Sequence, residues 1–93
     1  MLEIANVDNR PLLNYEDALL YVSLLDIDGH KDWRLPTLDE MHLLSNAIDD
    51  DMLLYNWTSD AHNVDREYVM NAWGKIQISL HYWKHLVLAV RNN

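Results

Sequence analysis

A chain of 93 residues with 49% apolar content suits one small domain built around its own core. The absence of cysteine excludes disulfides, thiol catalysis and cysteine-held metals, and no apolar run reaches the eighteen or so residues of a membrane helix. The net charge of −8 is uneven, because residues 1–60 carry thirteen Asp or Glu against three Arg or Lys while the remainder is slightly basic; such an acidic half repels phosphate backbones and speaks against nucleic acid.

In chain order, Leu2, Ile4 and Val7 hint at a short first strand, and Asp8-Asn9-Arg10-Pro11 reads as a turn. Asn14 is a candidate N-cap, with Glu16 and Asp17 in the first turn where acids complement the helix dipole. Ala18, Leu19, Val22 and Leu25 recur at helical spacing, which predicts an amphipathic helix over 15–25. A polar loop follows from Asp26 to Lys31. Pro36 then ends an extended segment, and Thr37 with Glu40 fits a capping box that opens a second helix. Met41, Leu44 and Ile48 supply its buried stripe, and Asp49-Asp50-Asp51 falls near or beyond its end, since acids oppose a helix C-terminus. From residue 52 onward β-branched and aromatic residues alternate, which predicts strands near 54–58, 67–73, 75–80 and 83–91, with Gly74 in a tight turn. The expected fold is α+β, two helices followed by a small twisted antiparallel sheet, in a single domain over 1–93.

Motifs that carry chemistry are few. Asp26 to Asp32 echoes the start of a calcium loop, but the twelfth position is Thr37 where that loop needs Glu, and Lys31 sits inside it. His81 and His85 have the spacing that shares zinc on a helix, yet on a strand that spacing spans about 13 Å. Asn56-Trp57-Thr58 satisfies the glycosylation sequon, which carries no weight because Met1-Leu2-Glu3 does not open a secretion signal. No nucleophile–base pair, phosphate loop or motif-placed carboxylate pair is present, so neither an enzyme, a metal nor a cofactor is expected. Asp32 beside Arg34 could pair with a ligand; a turn-organising role with hydrogen bonds to loop carbonyls is the reading preferred. Trp33 and Trp57 are read as core pieces.

Arg10-Pro11-Leu12-Leu13-Asn14-Tyr15-Glu16-Asp17-Ala18-Leu19, the later Asp32-Trp33-Arg34-Leu35-Pro36-Thr37-Leu38-Asp39-Glu40-Met41, then Trp57-Thr58-Ser59, Tyr68-Val69-Met70-Asn71 with Gly74, and Leu88-Ala89-Val90-Arg91 together resemble the C-terminal domain family of the Legionella collagen-like protein, a domain common in bacterial and phage proteins. The resemblance covers about residues 10–91. A more distant similarity runs to the sulfatase-modifying and retroelement variable proteins, where an Arg-Leu-Pro-Thr segment opens the second helix of a C-type-lectin-like fold. The resemblance implies that fold with neighbouring termini, and loops that display binding residues. The chain lacks the Glu-Pro-Asn and Trp-Asn-Asp sugar motifs and the cysteines of classical lectins and of the sulfatase-modifying oxidases; neither calcium-dependent sugar binding nor oxidase chemistry carries over.

The leading expectation is a non-enzymatic binding module of phage or bacterial origin, acting in a host cytoplasm or on a virion. It contacts a protein, with a glycan as the alternative, through loops over 59–67 and 81–84, using Asp60, His62, Asn63, Asp65, Arg66, Tyr82 and Trp83. A second expectation is a small acidic inhibitor or regulator docking Asp49, Asp50 and Asp51 on a basic surface of an intracellular host protein. A third is a virion component or homo-oligomer that buries exposed aromatics between copies. Asp32, Trp33, Arg34, Pro36, Thr37, Glu40 and Trp57 are assigned to architecture.

Overall fold

The two ends of the described chain pair with each other. Strand β1 (Leu2–Ile4) runs antiparallel to β7 (Val90–Asn92), with Leu2 opposite Asn92 and Ile4 opposite Val90. A computed structural model describes residues 2–7, 9–44 and 54–93. Among these residues a second sheet has five strands in the order β2 (Leu12–Leu13), β6 (His85–Leu86), β3 (Tyr55–Asn63), β4 (Arg66–Asn71) and β5 (Ile76–Leu80). Its neighbours are antiparallel except at one parallel contact, Asn56 opposite Leu86. With helices α1 (Tyr15–Leu24) and α2 (Leu38–Leu44), the domain is α+β. The short first strand stands where it was expected; β2 ahead of α1, and the one parallel contact that makes the sheet mixed, depart from the expected order.

Helix α1 starts where its sequence says it should. The Asn14 side chain accepts from the Asp17 N–H at 2.8 Å, and Glu16 and Asp17 occupy the first turn. Ala18 and Val22 are buried on the face that packs with Tyr15, Tyr21 and Leu25, whereas Leu19, one position off that stripe, is exposed. The loop after α1 is a tight hairpin. Asp28 and Gly29 both have positive φ, 55° and 83°, and Ile27 and His30 exchange two backbone hydrogen bonds. That is the type I′ geometry Asp-Gly favours, so the alternating oxygens from Asp26 to Asp32 belong to a turn.

The segment from Asp32 to Glu40 fastens three parts of the fold. Trp33 is buried and donates its indole N–H to the His30 carbonyl, and Arg34 exchanges 2.8 Å backbone bonds with Val90. The Arg34 guanidinium grips Glu40 through both oxygens at 2.7 and 2.8 Å, and also reaches the Asn92 side chain. Its closest partner is therefore a carboxylate, with one loop carbonyl, that of Leu35, at 3.3 Å. Thr37 and Glu40 close the capping box in both directions. Asp32 takes a 2.7 Å bond from Arg91, whose guanidinium lies 5.9 Å from the Trp33 ring centre. Ile48 and the candidate patch Asp49, Asp50 and Asp51 lie outside the described residues.

The stretch expected as one strand over 83–91 is two, separated by Val87, Leu88 and Ala89. Leu86 ends the ladder with β2 and β3, whereas Val90 joins β1 and Arg34. Alternation persists across the break: Val87 and Ala89 enter the core beneath α1 with Trp57 and Val69, while Leu88 and Val90 enter the one beneath α2 with Met41 and Met70. One extended run thus serves two cores, passing from one sheet to the other.

Candidate functional site

The region expected as a recognition loop over 59–67 is mostly strand. β3 continues to Asn63 and β4 begins at Arg66, so the connection is a hairpin tip at Val64 and Asp65. Two register shifts interrupt the pairing, between Trp57 and Ala61 and between Ala61 and Asn63. The extra residues bend β3 toward the Pro36 segment, where Ser59 donates to the Pro36 carbonyl at 2.9 Å. The bulge also aims Asp60 at the start of α2, where its carboxylate accepts the Leu38 N–H at 2.6 Å. Asp60 thus satisfies one of the unpaired donors at a helix start.

The hairpin tip, the β5–β6 turn and the start of α1 meet around a cleft of about 420 Å³ lined by Asn14, Glu16, Val64, Asp65, His81 and Tyr82. Two backbone bonds set this meeting: His81 donates to the Asp65 carbonyl at 3.1 Å, and Tyr15 donates to the His81 carbonyl at 2.9 Å. Val64 is 97% exposed, Tyr82 71% and Trp83 55%. Asn63 shapes the tip by accepting the Asp65 N–H, and Asp65 pairs with Arg66 at 3.2 Å. His62 stands on the exposed end of β3, edge-on to Tyr68. Of the expected contact residues, Asp65 and Tyr82 line the cleft and His62, Asn63, Arg66 and Trp83 flank it in the chain, whereas Asp60 serves α2.

Beneath the cleft lies a polar cluster that sequence reasoning missed. Glu67 is only 4% exposed, and its Oε1 stands 3.2 Å from His81 Nε2, while its Oε2 has no hydrogen-bond partner among the described residues. Tyr15 stacks on His81 with ring centres 4.4 Å apart. Burial pushes the Glu67 carboxyl up despite His81, and Tyr15 is held protonated by burial and by the neighbouring Glu67 charge. Across the ladder Ser79, opposite Glu67, lies 2.7 Å from His85, whose imidazole burial keeps neutral. Trp57 closes the cluster, edge-on to both Tyr15 and His85, with its indole N–H on the Leu13 carbonyl at 2.7 Å. His81 and His85 thus have separate partners. Among the described residues no group of three or more His, Cys, Asp or Glu stands together as a metal site. Ser79 is itself buried, so its hydroxyl faces protein and not the cleft.

Glu67 gives a direct test of this cluster. Its folded pKa lies above the ordinary value of 4.5, so the penalty of a buried charge is absent below that value and grows as pH rises through the folded one. Glu67→Gln keeps an oxygen acceptor for His81 and removes the charge. The variant is expected to melt higher than the parent at neutral pH and to converge with it near about pH 4, by circular dichroism.

A second cleft, about 440 Å³, lies between α2 and the paired chain ends, but its carboxylate, Glu40, is already committed to Arg34. Among the described residues no helix is long and apolar enough to cross a membrane. No protein-family model matches the chain, and none of the curated proteins matches it either.

Proposed function

We propose that the domain is a non-enzymatic recognition module of C-type-lectin-like fold that grips a protein partner with the β3–β4 hairpin tip and the β5–β6 turn. The carrying observation is the convergence of Val64, Asp65, His81 and Tyr82 on one cleft. Loops positioned on a sheet are the usual place for binding residues. Exposed tyrosine and tryptophan in a tight turn offer large contact area at low entropic cost, the character of interface hot spots. Glu16 and Asp65 on the same cleft favour a cationic group on the partner. The pairing of β1 with β7 and the Arg34 clamp on Glu40 agree with the neighbouring termini and the Trp-Arg-Leu-Pro-Thr helix start of the family the sequence resembles.

Photo-crosslinking residues placed at Val64 and Tyr82 should capture the same protein from host extract, and a probe at Leu24, an exposed position on α1 outside the cleft, should not. Once that protein is in hand, Tyr82→Ala is expected to weaken binding by about tenfold or more without lowering the melting temperature. Equal capture from all three positions would count against the reading, and selective binding on a glycan array would redirect it to a sugar.

A further inference from the structure

Among the described residues β5 is an edge strand without the usual protection. From Ile76 to Leu80 it carries neither charge nor proline, and Ile76 and Ile78 are 41% and 46% exposed. The opposite edge, β2, has two residues and follows Pro11 directly. Which backbone groups of β5 are unused follows from the ladder with β4. At one end the Asn71 N–H bonds the Lys75 carbonyl, and at the other the His81 N–H bonds the Asp65 carbonyl. The register between them is unbroken, Met70 opposite Ile76 through Arg66 opposite Leu80. In an antiparallel ladder every second pair exchanges hydrogen bonds, so Gln77 and Ser79 bond inward to β4. Ile76, Ile78 and Leu80 point their backbone groups outward, and the Leu80 carbonyl is taken by the Trp83 N–H.

We infer that β5 pairs antiparallel with β5 of a second copy of this chain, about a two-fold axis at Gln77. The occupant follows from self-complementarity. In this register Ile76 of each copy exchanges two backbone bonds with Ile78 of the other, so four new bonds use all the outward groups of Ile76 and Ile78. Leu80, whose carbonyl is already engaged, stays outside the pairing. Alternation places both isoleucines of each strand on one face, and the pairing gathers four isoleucine side chains there. The edge also belongs to the slightly basic part of the chain, beyond the acidic first sixty residues, which lessens repulsion between copies.

Gln77 faces its own copy across the axis as a non-hydrogen-bonded pair, where Cα atoms sit about 4.5 Å apart, within reach of a disulfide. The chain has no cysteine, so a single Gln77→Cys substitution reports only that contact. Under mild oxidation it is expected to link chains in pairs far faster than Val64→Cys at the hairpin tip. Light scattering across a dilution series should give twice the chain mass for the unmodified protein and the single mass for the Ile76→Lys, Ile78→Lys double variant. Both isoleucines are partly exposed, and matching near-ultraviolet circular dichroism would show that the double variant is folded. A monomer at every concentration, a dimer that survives both lysines, or equal linking rates at positions 77 and 64 would overturn the inference.

Discussion

Trp57→Ala is expected to leave the chain largely unfolded at 37 °C, with a melting temperature lowered by about 15–30 °C, as judged from thermal circular dichroism. Trp57 is fully buried in β3, packs edge-on to Tyr15 and His85, and donates to the Leu13 carbonyl. Removing a ring of that size costs about 3–5 kcal/mol, and the abandoned carbonyl adds about 1 kcal/mol more. A small domain holds only about 5–10 kcal/mol in all. Trp57→Phe keeps most of the packing and loses the N–H, so about 1–2 kcal/mol should separate it from the parent. Trp83→Ala, at an exposed ring, should change stability by less than about 1 kcal/mol.

The second large effect is a loss of stability in acid that runs through Glu40. Its bidentate bond from Arg34, with the Thr37 N–H, holds the carboxyl down at about 2, against an ordinary value of 4.5. Because the folded pKa is depressed, the stabilisation is complete above the unfolded value and is lost as pH falls from about 4.5 through about 2. Arg34 is more than a third exposed, so solvent screening reduces the contribution to about 1–2 kcal/mol. Urea unfolding of the parent should weaken across that window more steeply than unfolding of Glu40→Gln. Identical pH profiles for the two proteins would show that the clamp contributes nothing to acid stability. The Glu67→Gln profile has the opposite sign, since that variant gains at neutral pH and not in acid.

The parts legible in the sequence are those encoded by neighbours in the chain. Asn14 capping α1 and Thr37 with Glu40 capping α2 are three-residue signals, and both helices start where those signals stand. The Gly74 turn, with φ of 84°, is equally local. The extent of β3 was not legible, because Ser59, Asp60, His62 and Asn63 are polar and the stretch is held extended by β4, with three extra residues on β3 taken up in bulges. Asp60 shows the limit most plainly. It looks like a loop acid, and its helix-starting bond is to a residue 22 positions away. The break between β6 and β7 leaves no mark either, since alternation continues through Val87 and Ala89 while the partner strands change. For the cleft, Asp65 and Tyr82 could be nominated as polar or aromatic residues between strands. Val64 carried a weak signal, an apolar residue alone in a polar turn. Glu67 and Tyr15 carried none, because a strand acid and a helix-start tyrosine become neighbours only when β5 turns at His81.

The pairing of β1 with β7 also sets how the domain would bear a pulling load. Leu2 and Asn92 lie opposite each other at one end of an antiparallel ladder. Tension applied through both ends therefore acts across the hydrogen bonds and opens them one pair at a time, as a zipper opens. Shear, which loads all the bonds of a ladder together, is not engaged until β1 has peeled away. The next bonds to be loaded are that of the Ala5 N–H to the Ala89 carbonyl and the bridge between Arg34 and Val90, the latter backed by the grip of Arg34 on Glu40. A tether joined at both ends would yield first at its seam while the cleft, on elements farther along the chain, kept its shape.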